Sequence, residues 1–117
     1  MFFIILDTFV RVSALSAAGE ELGKHKSETV KSNLEPNYND TAVFQISSAD
    51  LESSNMLIQV FSYCGILRRK VLLGWICVGG ENANSADAQQ HWQEMIMGMG
   101  TTVSKWHNLM KPSHPRN

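Results

Sequence analysis

The stretch Met56-Leu57-Ile58-Gln59-Val60-Phe61-Ser62-Tyr63 is the clearest strand signal in this chain of 117 residues. Alternate residues of an extended chain lie on opposite faces of a sheet, and one face of this stretch is apolar at Met56, Ile58 and Val60. Residues 71–78 are a second apolar and β-branched run, which a pair of glycines ends. We therefore predict two neighbouring strands in the middle of the chain.

Three further strands are predicted on the N-terminal side of this pair. Residues 9–15 are rich in β-branched and aromatic side chains, which favour strands. Residues 25–31 are more polar, so we predict a solvated edge strand there. Residues 42–46 would place Phe44 and Ile46 together on one face of another strand.

A helix is predicted over residues 85–97, because apolar residues recur there at helical spacing: Ala88, Trp92, Met95, Ile96 and Met99. Asn84 or Ser85 can cap its first turn, and Gly98 can end it. Residues 103–109 follow as a predicted final strand. The late helix and the final strand are the last two elements of the predicted domain.

An all-β fold is the prediction from this order of elements. About six antiparallel strands with one late helix indicate a β-sandwich. Two packed sheets need two complete inner faces, so this number of strands predicts a sandwich that lacks one or two strands at its N-terminal side. Leu51 lies in the polar connection at residues 47–54, and we expect it to reach the core.

The composition favours one globular domain without affinity for nucleic acid. Hydrophobic residues make up 44% of the chain, which is enough for a core, and the formal net charge of -1 does not attract a polyanion. Cys64 and Cys77 lack the spacing of a metal site, so we predict two reduced thiols. The apolar start is interrupted by Asp7 and Arg11, so we expect neither a signal peptide nor a membrane span.

No arrangement of residues indicates catalysis. The four histidines are scattered and show no pair at ligand spacing: His25, His91, His107 and His114. Gly98-Met99-Gly100 follows a helix, whereas a phosphate-binding loop precedes one. We therefore expect a protein without enzyme activity or catalytic residues.

Five segments, taken in order, resemble the second C2 domain of synaptotagmins. Residues 8–12 are similar to the third strand of that family, and Glu35-Pro36-Asn37-Tyr38-Asn39-Asp40 to its Asn-Pro-x-Tyr/Phe-Asn-Glu turn. Leu73-Gly74-Trp75-Ile76 is similar to its (I/L)-G-x-(V/I) strand. His91-Trp92 resembles its helix, and Trp106-His107-Asn108-Leu109 its closing Trp-His-x-Leu motif.

This resemblance implies a fold and a set of boundaries. The fold is a C2-type antiparallel β-sandwich with Greek key topology, with one helix before the last strand. Because the likeness begins at the third strand, the first two strands would be missing by N-terminal truncation. The expected organisation is a non-matching segment at residues 1–7, a partial C2 domain at 8–110 and a flexible tail at 111–117.

The resemblance also implies that calcium does not bind. Calcium-binding C2 domains hold the ion with aspartates from two loops, because this cation needs several oxygen ligands. In the later loop Ser62 and Cys64 stand where the family has aspartates, and Arg69 or Lys70 falls near the third. Asp7 alone remains from the earlier loop. We expect no metal site and no cofactor, as in the calcium-independent synaptotagmin-14/16 branch, which this chain resembles.

Two groups of cations are candidate lipid-binding residues. One is Arg68-Arg69-Lys70 at a loop tip, where Ile66 and Leu67 could insert into a bilayer. The other group corresponds to the strand that has a polybasic patch in synaptotagmins: Lys24, Lys26 and Lys31. Glutamates near this second group weaken the hypothesis, and the alternative for both groups is a solvated surface that only aids solubility.

The closing motif is the candidate docking site. By resemblance, Trp106, His107 and Leu109 would bind partner proteins at a vesicle, and the alternative is that Trp106 and Leu109 only pack in the last strand.

Together these features predict a calcium-independent module that binds anionic phospholipids, or trafficking proteins and other C2 domains, in vesicle transport and exocytosis. It would be cytoplasmic and peripheral on the cytosolic face of a vesicle or the plasma membrane. Two alternatives remain open. One is a protein-interaction module without lipid affinity that forms homo-oligomers through an open sheet edge. The other is a truncated, non-functional fragment.

Overall fold

A four-stranded antiparallel sheet forms the centre of the molecule in the computed structural model, which describes residues 6–98 and 100–113. The strands are β1 Asp7–Leu15, β2 Glu21–Lys26, β3 Asn55–Cys64 and β4 Arg69–Gly79, in the spatial order β2-β1-β3-β4. The helices are α1 Ser48–Leu51 and α2 Ala86–Met97.

The register of the sheet brings aromatic residues of β1 and β3 together. Phe9 lies opposite Phe61, and Asp7 opposite Tyr63. Because side chains alternate along a strand, these aromatic residues share one face of the sheet. We call this the aromatic face, defined by Phe9, Phe61 and Tyr63.

The opposite face of the sheet packs against α2. Its buried core consists of two residues of β4 and two of α2: Ile76, Val78, Ala88 and Trp92. Met56 and Ile58 of β3 pack at the margin of this core, and so does Leu51, which confirms the predicted role of that residue. The Ser85 side chain accepts a hydrogen bond from the Ala88 amide and caps α2, as predicted.

The all-β class and the strongest elements are as predicted. The strands expected at residues 9–15, 56–63 and 71–78 correspond to β1, β3 and β4, and the late helix corresponds to α2. Met99, the last residue of the predicted apolar stripe, lies outside the described residues.

The strand predicted at residues 25–31 lies earlier in the chain than expected. β2 ends at Lys26. Beyond it Val30 forms a single bridge to Thr8, and the Ser27 amide donates to the Val10 carbonyl. The polar composition of this segment gives no periodicity that fixes where pairing begins or ends, because an edge strand has one neighbour and two wet faces.

Two predicted strands, at residues 42–46 and 103–109, are wrong as strands. Residues 42–46 do alternate between half-buried and exposed side chains, and Phe44 packs over Gly23 of β2. The final segment pairs at one point only, the bridge between Trp75 and Met110. A strand needs a continuous hydrogen-bonded neighbour, and neither segment has one among the described residues. Irregular chain thus lies at both places where the sequence predicts these strands.

Candidate functional site

A four-residue turn at 65–68 joins β3 to β4 and forms an apolar tip. The Ile66 side chain is 100% exposed and that of Leu67 is 84% exposed. Gly65 takes a positive φ of 76°, and the Arg68 amide closes the turn by donating to the Gly65 carbonyl at 3.2 Å. Two adjacent aliphatic side chains held out in water suit contact with an apolar phase.

Arg68, predicted as a lipid-binding cation, is engaged inside the molecule. Its guanidinium lies 2.7 Å from a carboxylate oxygen of Asp7 and 4.7 Å from the centre of the Tyr63 ring. The Ser32 amide donates to the other Asp7 oxygen at 3.0 Å. Hydrogen bonds from Arg68 and then Ser32 hold the pKa of Asp7 below its ordinary value, and the nearby charge of Lys31 acts in the same direction.

Tyr63 is the point where the two predicted groups of cations meet. The Lys26 ammonium of β2 donates a hydrogen bond to the Tyr63 hydroxyl at 3.0 Å, and Lys70 lies opposite Tyr63 in the β3–β4 register. This hydrogen bond from Lys26 lowers the pKa of Tyr63, and the charges of Lys26, Lys70 and Arg68 lower it further. Cations that are distant in sequence therefore surround one phenol.

An aromatic layer supports these cations. The Phe9 ring lies 5.3 Å from the Phe61 ring and 5.2 Å from the Tyr63 ring, measured between centroids. The Lys26 ammonium lies 4.4 Å from the centre of Phe9, and the Arg11 guanidinium 4.7 Å from the centre of Phe61. Such cation–π contacts fix flexible basic side chains over the sheet.

The predicted cations therefore lie in one region, which we call the basic patch and define by five residues: Lys24, Lys26, Lys31, Arg69 and Lys70. All five residues are exposed. Lys24 lies two residues from Lys26 on the aromatic face. The sequence alone does not point to Arg11 or the three aromatic residues, because their role depends on cross-strand register, for which the sequence has no local signal.

The region expected to lack calcium contains few carboxylates. Within residues 6–98 and 100–113, no group of three or more His, Cys, Asp or Glu side chains could hold a metal ion. Ser62 and Cys64 contact each other, with their oxygen and sulfur atoms 3.2 Å apart. The Asp7 carboxylate, the one acid there, is bound to Arg68.

The predicted docking residues lie away from the basic patch and differ among themselves. Trp106 is 100% exposed, so the alternative that it packs in a last strand is wrong. The His107 ring stacks on His91, and their Nε2 and Nδ1 atoms are 2.8 Å apart. Leu109 packs against Gly74 of β4. Two of the three residues therefore anchor the segment, and Trp106 projects from it.

A pocket of about 310 Å³ contains a serine, a histidine and an aspartate without forming a catalytic triad. His25 and Asp40 are paired at 2.7 Å, and this hydrogen bond lowers the pKa of Asp40. The Ser27 hydroxyl accepts from the Val10 amide at 2.8 Å and donates to the Glu28 carbonyl at 3.0 Å. Ser27 therefore gives its proton to the backbone rather than to a base, and nothing in the pocket shows catalysis.

No helix among the described residues has the length and apolar character to cross a membrane.

Comparison with known proteins points to one family. A family model described as "C2 domain" matches residues 3–95. Synaptotagmin-3 of Homo sapiens is 30% identical over 105 residues, which cover 90% of this chain and 17% of that protein. Synaptotagmin-C of Diplobatis ommata is 32% identical over 105 residues, covering 90% and 19%, and Synaptotagmin-6 of Mus musculus is 30% identical, covering 90% and 20%. The chain spans about a fifth or less of the length of these relatives.

Proposed function

Because this chain belongs to the C2 domain family, we propose that it is a membrane-binding module that holds anionic phospholipid without calcium. The observation that supports this function best is the basic patch beside the apolar tip of the β3–β4 hairpin. Ile66 and Leu67 are exposed at the tip, and Arg69 and Lys70 follow at the start of β4. Such a surface offers apolar side chains to the bilayer and charges to the headgroups.

Electrostatic attraction provides most of the proposed affinity. A basic residue near an anionic membrane surface contributes about 1 kcal/mol, so the five residues of the basic patch together provide up to about 5 kcal/mol. The net charge of the chain is only -1, and the local cluster decides the interaction because salt screens more distant charges. The hydrogen bond from Lys26 to Tyr63 already fixes the position of one of these cations in the protein without a bound membrane.

Calcium independence is part of the proposal and rests on Arg68. Its guanidinium binds Asp7 at 2.7 Å and joins the hairpin to the start of β1. An internal cation on this carboxylate does what a bound metal ion does elsewhere, since it neutralises the acid and ties two chain segments together. Calcium would have to displace an arginine from a single carboxylate, which is a poor ligand set for that ion.

The finer assignment follows the closing motif. The Trp-His-x-Leu sequence at residues 106–109 supports a domain of the second C2 type from a synaptotagmin-like trafficking protein. Ser62 and Cys64 stand in place of aspartates, and Arg69 or Lys70 falls near the third. This departure, and the sequence Leu73-Gly74-Trp75-Ile76 in particular, support the calcium-independent synaptotagmin-14/16 branch. We propose action in vesicle trafficking and exocytosis, at the cytosolic face of a vesicle or the plasma membrane.

Partner binding through Trp106 is the second candidate function. A fully exposed tryptophan on a segment anchored by its neighbours resembles the hot spots of protein interfaces. The partner would be a trafficking protein or another C2 domain, including a second copy of this chain. Trp106→Ala should then abolish the partner's binding, or the concentration-dependent rise in mass, and leave vesicle binding unchanged.

The first experiment is co-sedimentation with phosphatidylserine-containing liposomes, in calcium and in chelator. The sample is first shown to melt cooperatively, because a non-cooperative melt would identify a fragment that does not fold. Equal binding in both conditions supports the proposal. Binding that calcium stimulates would overturn calcium independence, and loss of binding in Ile66→Ser plus Leu67→Ser would identify the tip as the contact. A folded sample that binds in neither condition would contradict the membrane function.

A further inference from the structure

The outer edge of β4 is closed along one half and open along the other. β4 is the last strand in the sheet, so one side of its backbone faces away from β3. At Trp75 this side exchanges two backbone hydrogen bonds with Met110, at 3.1 and 2.8 Å. At Cys77 it binds Asn84, whose side chain accepts from the Cys77 amide at 2.8 Å and whose amide donates to the Cys77 carbonyl at 3.2 Å.

The open half begins at Leu72. Along an antiparallel pair, every second residue directs its main-chain amide and carbonyl away from the partner strand. Trp75, Leu72 and Lys70 pair with successive alternate residues of β3, so all three belong to the same set. The amides and carbonyls of Leu72 and Lys70 therefore point outward like those of Trp75. No residue in the described parts of the chain pairs with them.

A proline explains why the pairing of the closing segment with β4 does not continue beyond Met110 in the described residues. Pro112 lies two residues after Met110. A continued strand would have to donate a hydrogen bond from this position to the next outward-facing residue of β4. Proline has no amide hydrogen, so it cannot continue the pairing. Met110 thus shows that an extended residue can pair with this edge, and no described residue beyond it pairs with residues 69–73.

We propose that the open edge of β4, residues 69–73, binds an extended acidic peptide segment of a partner protein by adding a strand to the sheet. The main-chain groups of Leu72 and Lys70 supply the hydrogen bonds. Arg69 and Lys70 lie at one end of the edge and attract carboxylates, while Val71 (44% exposed) and Leu73 (40% exposed) offer apolar contact.

Charge selects an acidic peptide over a second copy of the chain. Antiparallel pairing of two copies centred on Val71 would set Arg69 opposite Leu73 and Lys70 opposite Leu72, so neither cation would gain a partner of opposite charge. A partner with glutamates opposite Arg69 and Lys70 gains favourable cross-strand pairs instead. The edge shares Arg69 and Lys70 with the basic patch, but its main-chain hydrogen bonds do not require lipid binding, so the peptide and vesicle experiments test the two proposals separately.

The test uses a fluorescent peptide, Thr-Val-Thr-Val-Glu-Glu-Glu, and the same peptide with alternate backbone amides N-methylated. We expect the first to bind by fluorescence anisotropy and the second to bind at least about tenfold more weakly, because it lacks backbone donors. Equal binding of both peptides would overturn the proposal, since charge alone would then explain the interaction.

A pair of variants tests the edge itself. Leu72→Pro removes one outward amide hydrogen at an edge position that tolerates proline, and Leu72→Ala removes the side chain but keeps that hydrogen. Peptide binding should be about tenfold weaker in Leu72→Pro than in Leu72→Ala, with vesicle binding equal in the two folded proteins. Equal peptide affinity in the two variants contradicts strand addition. A dimer of the unsubstituted protein that Leu72→Pro dissociates would overturn the proposed occupant.

Discussion

Both oxygens of the Asp7 carboxylate are engaged by groups that are distant in sequence. Arg68 binds one of them and the Ser32 amide binds the other, so one acid joins β1, the β3–β4 turn and the segment after β2. Arg68 also takes a positive φ of 55°, which costs free energy in a residue other than glycine. The ion pair and the contact with Tyr63 offset that cost and fix the geometry of the tip.

The lowered pKa of Asp7 predicts a stability difference at acid pH. A carboxyl group whose pKa is lower in the folded state stabilises the fold above its unfolded pKa of about 3.9, and this contribution is lost as the pH falls through the folded value. We therefore expect Asp7→Asn to have a lower melting temperature than the unsubstituted protein at pH 6. Between about pH 5 and 2, the melting temperature of this variant should fall by less than that of the unsubstituted protein.

The matched control is Glu35→Gln, which removes an exposed carboxylate that forms no hydrogen bond or ion pair with the part of the chain that the structure describes. Its melting temperature should follow the unsubstituted protein across the same acid range. Parallel curves for Asp7→Asn and the unsubstituted protein would show that the Arg68 pair does not contribute to stability.

At the scale of elements, close contact between β3 and β4 depends on a glycine near the end of the pair. Gly79 lies opposite Asn55, and an added Cβ there would be 1.9 Å from the Asn55 side-chain oxygen and 2.9 Å from its Cα. Asn55 is fully buried and accepts a hydrogen bond from the Asn82 amide at 3.3 Å. Its side chain therefore cannot move aside without losing that bond.

Gly79→Ala should accordingly destabilise the protein by about 2 kcal/mol or more, the usual cost of forcing atoms into a packed interior. Urea unfolding measures this directly. Gly19→Asn is the control, because nothing lies within 4 Å of a Cβ at Gly19 and asparagine tolerates its positive φ of 87°. A Gly79→Ala protein as stable as this control would mean that the strand ends separate freely.

The elements that could be predicted from sequence are those with a local signal. β3, β4 and α2 have long periodic runs and turn or cap residues at their ends, and these features need no knowledge of neighbours. Residues 42–46 have the alternation of a strand, with Phe44 half-buried, yet no strand forms because pairing depends on a partner that the pattern does not encode. The same limit applies to residues 103–109.

At the scale of the whole molecule, folding converts a nearly neutral chain into an asymmetric one. The sequence identified the cations of the basic patch, because clusters of lysine and arginine are visible without structure. It did not reveal that these cations gather around Tyr63, or that Arg68 forms an ion pair with Asp7. Those contacts join residues dozens of positions apart, so they follow from sheet register rather than from any local motif.

This asymmetry predicts which charges matter to a membrane. Reversing Arg69 and Lys70 together to glutamate should weaken binding to phosphatidylserine vesicles at least about thirtyfold, since each cation contributes about 1 kcal/mol near an anionic surface. Lys105→Glu plus Lys111→Glu makes the same change in net charge in the closing segment, where Lys105 pairs with Glu94 of α2 at 3.2 Å, and should change binding far less. Raising the salt from 0.1 M to 1 M, which shortens the screening length from about 10 Å to about 3 Å, should abolish the difference between the two double variants. If both variants lose binding equally, net charge rather than the basic patch directs the protein to membranes.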